Sequence, residues 1–338
     1  MRFLSLALIC VSIFAPATLS AAPSAYTILD LGSTSQRDVF LNERGQVAFS
    51  ADGKAFRYTD NVGLEFLASN PYFLLIGGIN DRGQVSMATS GDGVLDIQRY
   101  SDGVGLESLA KADALLTLTR PNNLGDIAYA DTTGGYYIGI TGVQCFATPW
   151  LPGIRPAVYD MNDSGTVLSS YVYPVSGGGG AYSFAPPDDY RRLTPLLSAS
   201  ALNNLGGVIG TTDQGPAIRW ANGTVTQLGG SAFGRDINDA GAWVGNQYLD
   251  EDATEAWLGT KNGMVILNTL IDPALGWNLA YARSINNAGQ IGGTGFLNGQ
   301  RHAFRLAPTN SIPEPGSLAL LCVSILPLLA ALRRRPKP

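Results

Sequence analysis

Histidine is almost missing from this sequence: His302 stands alone among 338 residues. Cysteine is scarce too, at Cys10, Cys145 and Cys322. A zinc site built from histidine and cysteine needs three or four such ligands together, so that chemistry is excluded. A Ser-His-Asp triad would have to use His302, and no nucleophile-elbow sequence accompanies it. Cys145 sits in Gly142-Val143-Gln144-Cys145-Phe146, with nothing beside it to lower its pKa. It is read as a buried apolar residue, and no disulfide is expected around it. Charge is thin as well, at 14% of residues. Basic residues are the scarcer sign. Five of the 22 basic residues and one of the 27 acidic residues lie in the two end segments, which leaves 17 against 26 and a net charge of −9 between them. A nucleic-acid surface needs clustered positive charge, so nucleic acid is excluded as a partner. Long apolar runs are confined to the two ends.

Glycine, by contrast, is plentiful, with 41 residues. Much of it belongs to a five-residue unit: apolar, Asn, any, any, Gly. The unit occurs seven times, with its Asn and Gly at Asn42 and Gly45, Asn80 and Gly83, Asn122 and Gly125, Asn162 and Gly165, Asn203 and Gly206, Asn238 and Gly241, and Asn286 and Gly289. Successive glycines are 38, 42, 40, 41, 35 and 48 residues apart. A period of this size marks one supersecondary unit repeated in tandem. Asn suits the start of a tight turn because its side chain accepts a bond from the backbone two residues on. Gly suits the left-handed position that ends a three-residue hairpin loop. Apolar residues follow at alternate positions, as in Val47 and Phe49, which is strand periodicity. A cation site in these turns lacks the carboxylates and closing Glu of a calcium loop.

The first unit continues with an Asp52-Gly53 turn, a strand at Lys54–Tyr58 and another at Leu64–Leu67. Four short strands in about 40 residues is the arithmetic of a propeller blade. The third strand recurs at 302–306 and 216–220, and in part at 255–258 and 96–100. Its small residue, at Ala55, Ala217, Ala256 and Ala303, lets neighbouring sheets pack closely. The fold class expected is therefore all-β: a seven-bladed β-propeller of four-stranded blades over residues 25–308. The seventh unit runs out after Leu306 with no fourth strand. Tyr26–Gly32 resembles the fourth strand at 224–229, so the N-terminal strand is expected to close the last blade. The alternative is an open β-solenoid or sandwich.

The turn at Ile285, its Gln290 and the His302-Ala303-Phe304 strand resemble the HAF repeat family, extracellular repeats of mostly unassigned function. Only the unit from Ile285 to Leu306 carries the full signature. The third and fourth units are degenerate, with Pro121 in the turn and Tyr136-Tyr137-Ile138 in the alanine strand.

The ends read as processing signals. Arg2, an apolar run from Phe3 to Phe14 and small residues to Ala22 have the layout of a cleaved export signal, residues 1–22. At the other end, residues 309–338, come Pro313-Glu314-Pro315, an apolar run from Leu318 to Leu332 and Arg333-Arg334-Arg335. This is a short transmembrane segment with a positive stop. The order resembles a PEP-CTERM sorting signal. The resemblance implies a Gram-negative host and processing by an exosortase, with Pro313, Glu314 and Pro315 as the recognition residues. It also implies an inner-membrane intermediate, then the cell surface or extracellular matrix, with exopolysaccharide or another surface glycan as partner.

No catalytic, metal or cofactor set is read from the body, and a non-enzymatic binding or structural role is expected. The slots of His302 in other units hold Lys54, Asp96, Pro216 and Glu255, so it is read as a surface strand residue. Gly177–Gly180 lacks a P-loop lysine and is read as a loop. Asp160 and Asp236 share one slot just before the turn, where other units have Phe40, Gly78, Arg120, Ala201 and Ser284. Paired channel carboxylates there could do acid/base work or hold a cation. They define the alternative function, a secreted carbohydrate-active hydrolase or lyase. Asp250, Glu251, Asp252 and Glu255 form a second acidic group, read as a solvated loop.

Overall fold

A computed structural model describes residues 25–309, apart from 92, 140–141, 147–154, 173–178, 187–188, 231 and 250–253. The expected export signal, Pro313-Glu314-Pro315, the apolar run after it and Asp250–Asp252 lie outside the described residues. Within them no helix is long and apolar enough to cross a membrane.

Twenty-eight described strands form seven antiparallel sheets of four. Six sheets are meanders in chain order, over 39–69, 74–112, 115–146, 155–192, 198–227 and 233–266. The seventh takes Trp277–Ile285, Ile291–Leu297 and Gln300–Pro308, and its outer strand is Tyr26–Ser33 from the other end of the body. That strand runs antiparallel to the third, from Tyr26 opposite Pro308 to Ser33 opposite His302. The molecule is the seven-bladed β-propeller expected from the repeat, closed by the strand expected to close it.

Each turn is built as its sequence demands. In blade one, Gly45 N–H donates to Asn42 O at 3.1 Å, and Gly45 has φ 76°. The Asn42 side-chain oxygen accepts from the amides of Arg44 at 3.1 Å and Gln46 at 2.9 Å. The other end of the Asn side chain, which the repeat alone does not explain, reaches the next blade. Asn42 Nδ2 donates to the backbone oxygen of Asn80, Asn80 to Asn122, Asn203 to Asn238, Asn238 to Asn286, and Asn286 back to Asn42, at 2.7–3.1 Å. The last link joins blade seven to blade one across 244 residues of chain. Arginines of the third strand do the same from outside: Arg57, Arg99 and Arg305 donate to the oxygens of Gly83, Gly125 and Gly45, the turn glycines of the following blades.

The core lies between sheets rather than in one centre. Ala48 and Ala55 of blade one pack on Ile76, Ile79 and Met87 of blade two. Leu31 and Ala303 of blade seven pack on Val39 and Phe49 of blade one. Ala55, Ala217, Ala256 and Ala303 are all fully buried, as close sheet packing requires.

Six described inner strands carry a β-bulge, which sequence periodicity does not reveal, and in five of them it falls two places before the apolar residue of the turn. In blade six Gly234 faces Gly245 and Asp236 faces Val244, leaving Arg235 as an extra residue. The same count leaves Gly77, Tyr159, Ser200 and Arg283 extra in blades two, four, five and seven. In blades five, six and seven the bulge presses its backbone onto a glycine of the second strand. A Cβ on Gly245 would lie 1.9 Å from the carbonyl oxygen of Phe233, and one on Gly210 2.1 Å from that of Ser198. Gly245→Ala is expected to cost about 2–3 kcal/mol, the scale of forced overpacking, read as a shift in urea midpoint.

Two sequence readings are corrected. Cys145 is exposed, not buried. It lies on the outer strand Gly142–Phe146, whose alternation sends Phe146 inward to stack on Phe184. Partial burial and nearby Asp131 raise its thiol pKa, so it is no activated nucleophile. Gly179 and Gly180, read as loop, belong to the strand Gly179–Ala185 and pair with Val172 and Tyr171.

Candidate functional site

The slot shared by Asp160 and Asp236 is the channel-lining position. Phe40, Arg120, Asp160, Ala201, Asp236 and Ser284 from that slot all line one small chamber of about 30 Å³ inside the ring. Arg120 is its floor. The same side chain roofs a second chamber of about 40 Å³, lined by Asn42, Glu43, Asn80, Asp81, Asn123, Asp163 and Asn204 of the turns. Arg120 therefore divides the channel in two. Its Nε lies 3.0 Å from Asp160 Oδ1 and donates to Met161 O at 3.1 Å. Burial works against its charge, but Asp160, Asp236, Asp163 and Asp81 outweigh burial and hold its pKa far above the usual arginine value.

The two carboxylates that sequence reasoning paired are brought together, but both are occupied. Asp160 accepts from the amides of Met161 and Leu202, each at 2.9 Å. Asp236 accepts from Ile237 at 2.9 Å and from Ile285, in the next blade, at 2.8 Å. They are blade-to-blade clamps. Burial is the main cause that pushes the Asp236 pKa up to about 6; Asp160 adds to it, and Arg120, the Ile285 amide and Arg283 oppose it. The sign follows. Below about pH 4 the carboxyl is protonated whether or not the chain is folded. Between about pH 4 and 6 the unfolded chain releases a proton that the folded chain keeps, so stability falls as pH rises through that window, by roughly 2–3 kcal/mol. Above it the contribution is flat. Asp236→Asn is expected to remove this slope, read as the wild-type-minus-variant difference in urea midpoint at pH 4.5 and pH 7.

Below Arg120 the residues after each Asn make a second ring. Glu43 N–H donates to Asp81, Asp81 to Asn123, Asp163 to Asn204, Asn204 to Asp239, Asp239 to Asn287, and Asn287 to Glu43, at 2.8–3.0 Å. Acids and amides alternate, and the amides donate back to Asp81, Asp163 and Asp239 at 2.9–3.0 Å. Four acids and three amides share the seven places, so two acids must be neighbours; they are Glu43 and Asp81. Burial raises the Glu43 pKa, with Asp81 and Asp239 adding to it, against the Asn287 amide and Arg120. No cluster of three or more metal-ligating side chains occurs among the described residues.

At the opposite end from the turns the channel opens into a cup of about 310 Å³. Its wall is made of the bulge residues Tyr159, Ser200, Arg235 and Arg283 from four successive blades, with Arg37, Asp38, Asn246, Tyr248 and Tyr281. Bulges re-aim side chains that a regular strand would place elsewhere. Arg283 Nε lies 2.9 Å from Asp38, and its guanidinium sits 4.8 Å from the ring centre of Phe40. Arg235 Nε donates to Asn246 Oδ1 at 3.1 Å. Arg37 lies 4.5 Å from the ring centre of Tyr281. None of these residues was singled out by the repeat. The signal that could have found them is an arginine or tyrosine two places before the apolar residue of the turn.

The remaining expectations fall elsewhere. His302, half-buried on the third strand of blade seven, lies 2.9 Å from Asp30 and edge-on to Trp277. Glu255 lies on the third strand of blade six, Thr254–Thr260.

No protein-family model matches the sequence, and no curated protein matches it. Solved structures do. A streptogramin B lyase has a TM-score of 0.56 at 11% identity, over 83% of this chain and 98% of that one. A virginiamycin B lyase from Staphylococcus aureus has a TM-score of 0.57 at 12% identity, over 83% and 99%. The β-propeller domain of the trilobed protease from Pyrococcus furiosus, described as an open velcro topology, has a TM-score of 0.57 at 9% identity, over 81% and 96%. At such identities the likeness shows the fold alone. In this chain the velcro is closed, by Tyr26–Ser33.

Proposed function

We propose that the protein is an exported, non-enzymatic propeller that binds a surface glycan at its channel mouth and reaches the cell envelope or matrix by exosortase-type sorting. The observation that carries this reading is the cup: bulge residues from four successive blades converge on one open cavity above a floor closed by Arg120. Binding is favoured over hydrolysis or lysis by the state of the channel carboxylates. The oxygens of Asp160 and Asp236 accept backbone amides, and the chamber they share, about 30 Å³, has room for water rather than a sugar ring. The lyase likeness brings no chemistry with it. One structure of that lyase is of a catalytically inactive histidine-to-alanine variant, whereas His302 here lies against Asp30, outside the cup lining. Export and sorting rest on residues 1–22 and on Pro313-Glu314-Pro315 with the run and arginines after them.

Two measurements test this. Mass spectrometry of the secreted protein should find a C-terminus at or near 313–315; one that still carries Arg335 contradicts sorting. Incubation with acidic and neutral polysaccharides should give binding without new reducing ends or unsaturated products; product formation contradicts the non-enzymatic reading.

A further inference from the structure

The chemistry of the cup narrows the ligand. The body carries a net charge of −9, yet among the described residues the cup gathers Arg37, Arg235 and Arg283 against Asp38 alone. Arg283 is held by Asp38. Arg37 and Arg235 have no carboxylate partner among the described residues. Both are nonetheless fixed: Arg235 by Asn246 through Nε, which leaves its outer nitrogens free to fork, and Arg37 by the face of Tyr281. A guanidinium held in this way is prepared for a planar, two-oxygen anion. Beside them, Asn246 is only 1% exposed and its amide nitrogen has no partner among the described residues, so a buried donor at the cup wall is left over.

The aromatic groups point to a ring that stacks on one face. Tyr159 and Tyr248 are 36% and 47% exposed at the cup. One face of Tyr281 is already covered by Arg37. A sugar ring needs one aromatic face and hydroxyl partners: the Ser200 hydroxyl, which donates to Gly234 O at 2.7 Å, can still accept, and the Asn246 amide nitrogen and the Tyr159 and Tyr248 hydroxyls can donate. The volume, about 310 Å³, is at the small end of ligand pockets and suits a short saccharide.

We infer that the cup recognises a carboxylated sugar, a hexuronate unit of an acidic oligosaccharide, with Arg235 and Arg37 holding the carboxylate and Tyr248 and Tyr159 the ring. This rests on the reading of the mouth as a binding site and adds the charge of what it binds.

The test is calorimetric titration of the purified protein with an oligogalacturonate, a neutral malto-oligosaccharide of equal length, a sulfated oligosaccharide and AMP. The oligogalacturonate should bind at least about tenfold more tightly than the others and should weaken as salt rises. Arg235→Gln and Arg37→Gln should each reduce its affinity about tenfold or more at unchanged melting temperature; Tyr248→Ala should weaken it, and Tyr248→Phe should largely retain it. Arg37 precedes the first inner strand, so its variant reports on the cup even if Arg235→Gln does not fold. Equal binding of the neutral oligosaccharide overturns the carboxylate inference and leaves the binding site standing. Tighter binding of the sulfated sugar or AMP overturns it in favour of a sulfate or phosphate group. No binding by any of the four overturns both readings.

Discussion

Removal of residues 25–33 is expected to lower the melting temperature further than any single substitution and to drive the protein into aggregates. The strand supplies the outer edge of blade seven, in register from Tyr26 to Ser33. It also places Leu31 in the apolar cluster that joins blade seven to blade one, with Val39, Leu41, Val47 and Phe49, and Ile28 against the core of blades six and seven. Losing two such side chains costs about 1.5–3 kcal/mol each, and each backbone bond adds roughly 1 kcal/mol net. The sum is comparable to the whole stability of a typical domain. The strand Gln300–Pro308 would then present a free edge, which templates pairing between molecules. Thermal unfolding with light scattering reads both effects. An unchanged melting temperature would mean that the ring does not depend on this strand.

Arg120→Met, which keeps volume and removes charge, is expected to destabilise the fold by about 2–3 kcal/mol. Breaking a buried ion pair costs about 3–5 kcal/mol because the other charge is left behind. The lower figure applies because the Arg120 side chain is 31% accessible, onto the two channel chambers. The charges left behind are Asp160 and Asp236 above and Asp81 and Asp163 below. The loss should grow as pH rises above 6, where Asp236 must ionise without its cation. Asp236→Asn in the same chain should recover part of it. Additive single and double variants would show that Arg120 and Asp236 do not share the channel as described.

The ring was legible in the sequence because its parts recur. The Asn and Gly of the turn are needed seven times for the same local reason, so seven copies stand out. Tyr26–Gly32 could be assigned because it looks like the fourth strand of another blade. Asp160 and Asp236 could be paired by slot, since the slot is counted from the turn. Arg120 falls in the same slot by that count, but where its side chain reaches, against Asp160 and between the two chambers, is not given by a slot. The cup was hidden for a different reason. Tyr159, Ser200, Arg235 and Arg283 share a place two residues before the apolar residue of the turn, but a bulge is a property of two strands, and that each is an extra residue aimed into the cup shows only in the pairing. The glycines that face three of these bulges, Gly210, Gly245 and Gly293, look in the sequence like three among many. Cys145 was misplaced because an unactivated thiol was read as a buried one, whereas it lies on the outer strand Gly142–Phe146, whose inward place belongs to Phe146.

Amide hydrogen exchange, resolved by strand, tests the closed ring most directly. The amides of Tyr26–Ser33 that pair with Gln300–Pro308 should be protected to the same degree as those of Ile291–Leu297 and should exchange with them in one cooperative event. Rapid exchange in Tyr26–Ser33, at the rate of an untethered terminus while the other three strands of that blade stay protected, would contradict the closed seven-bladed ring.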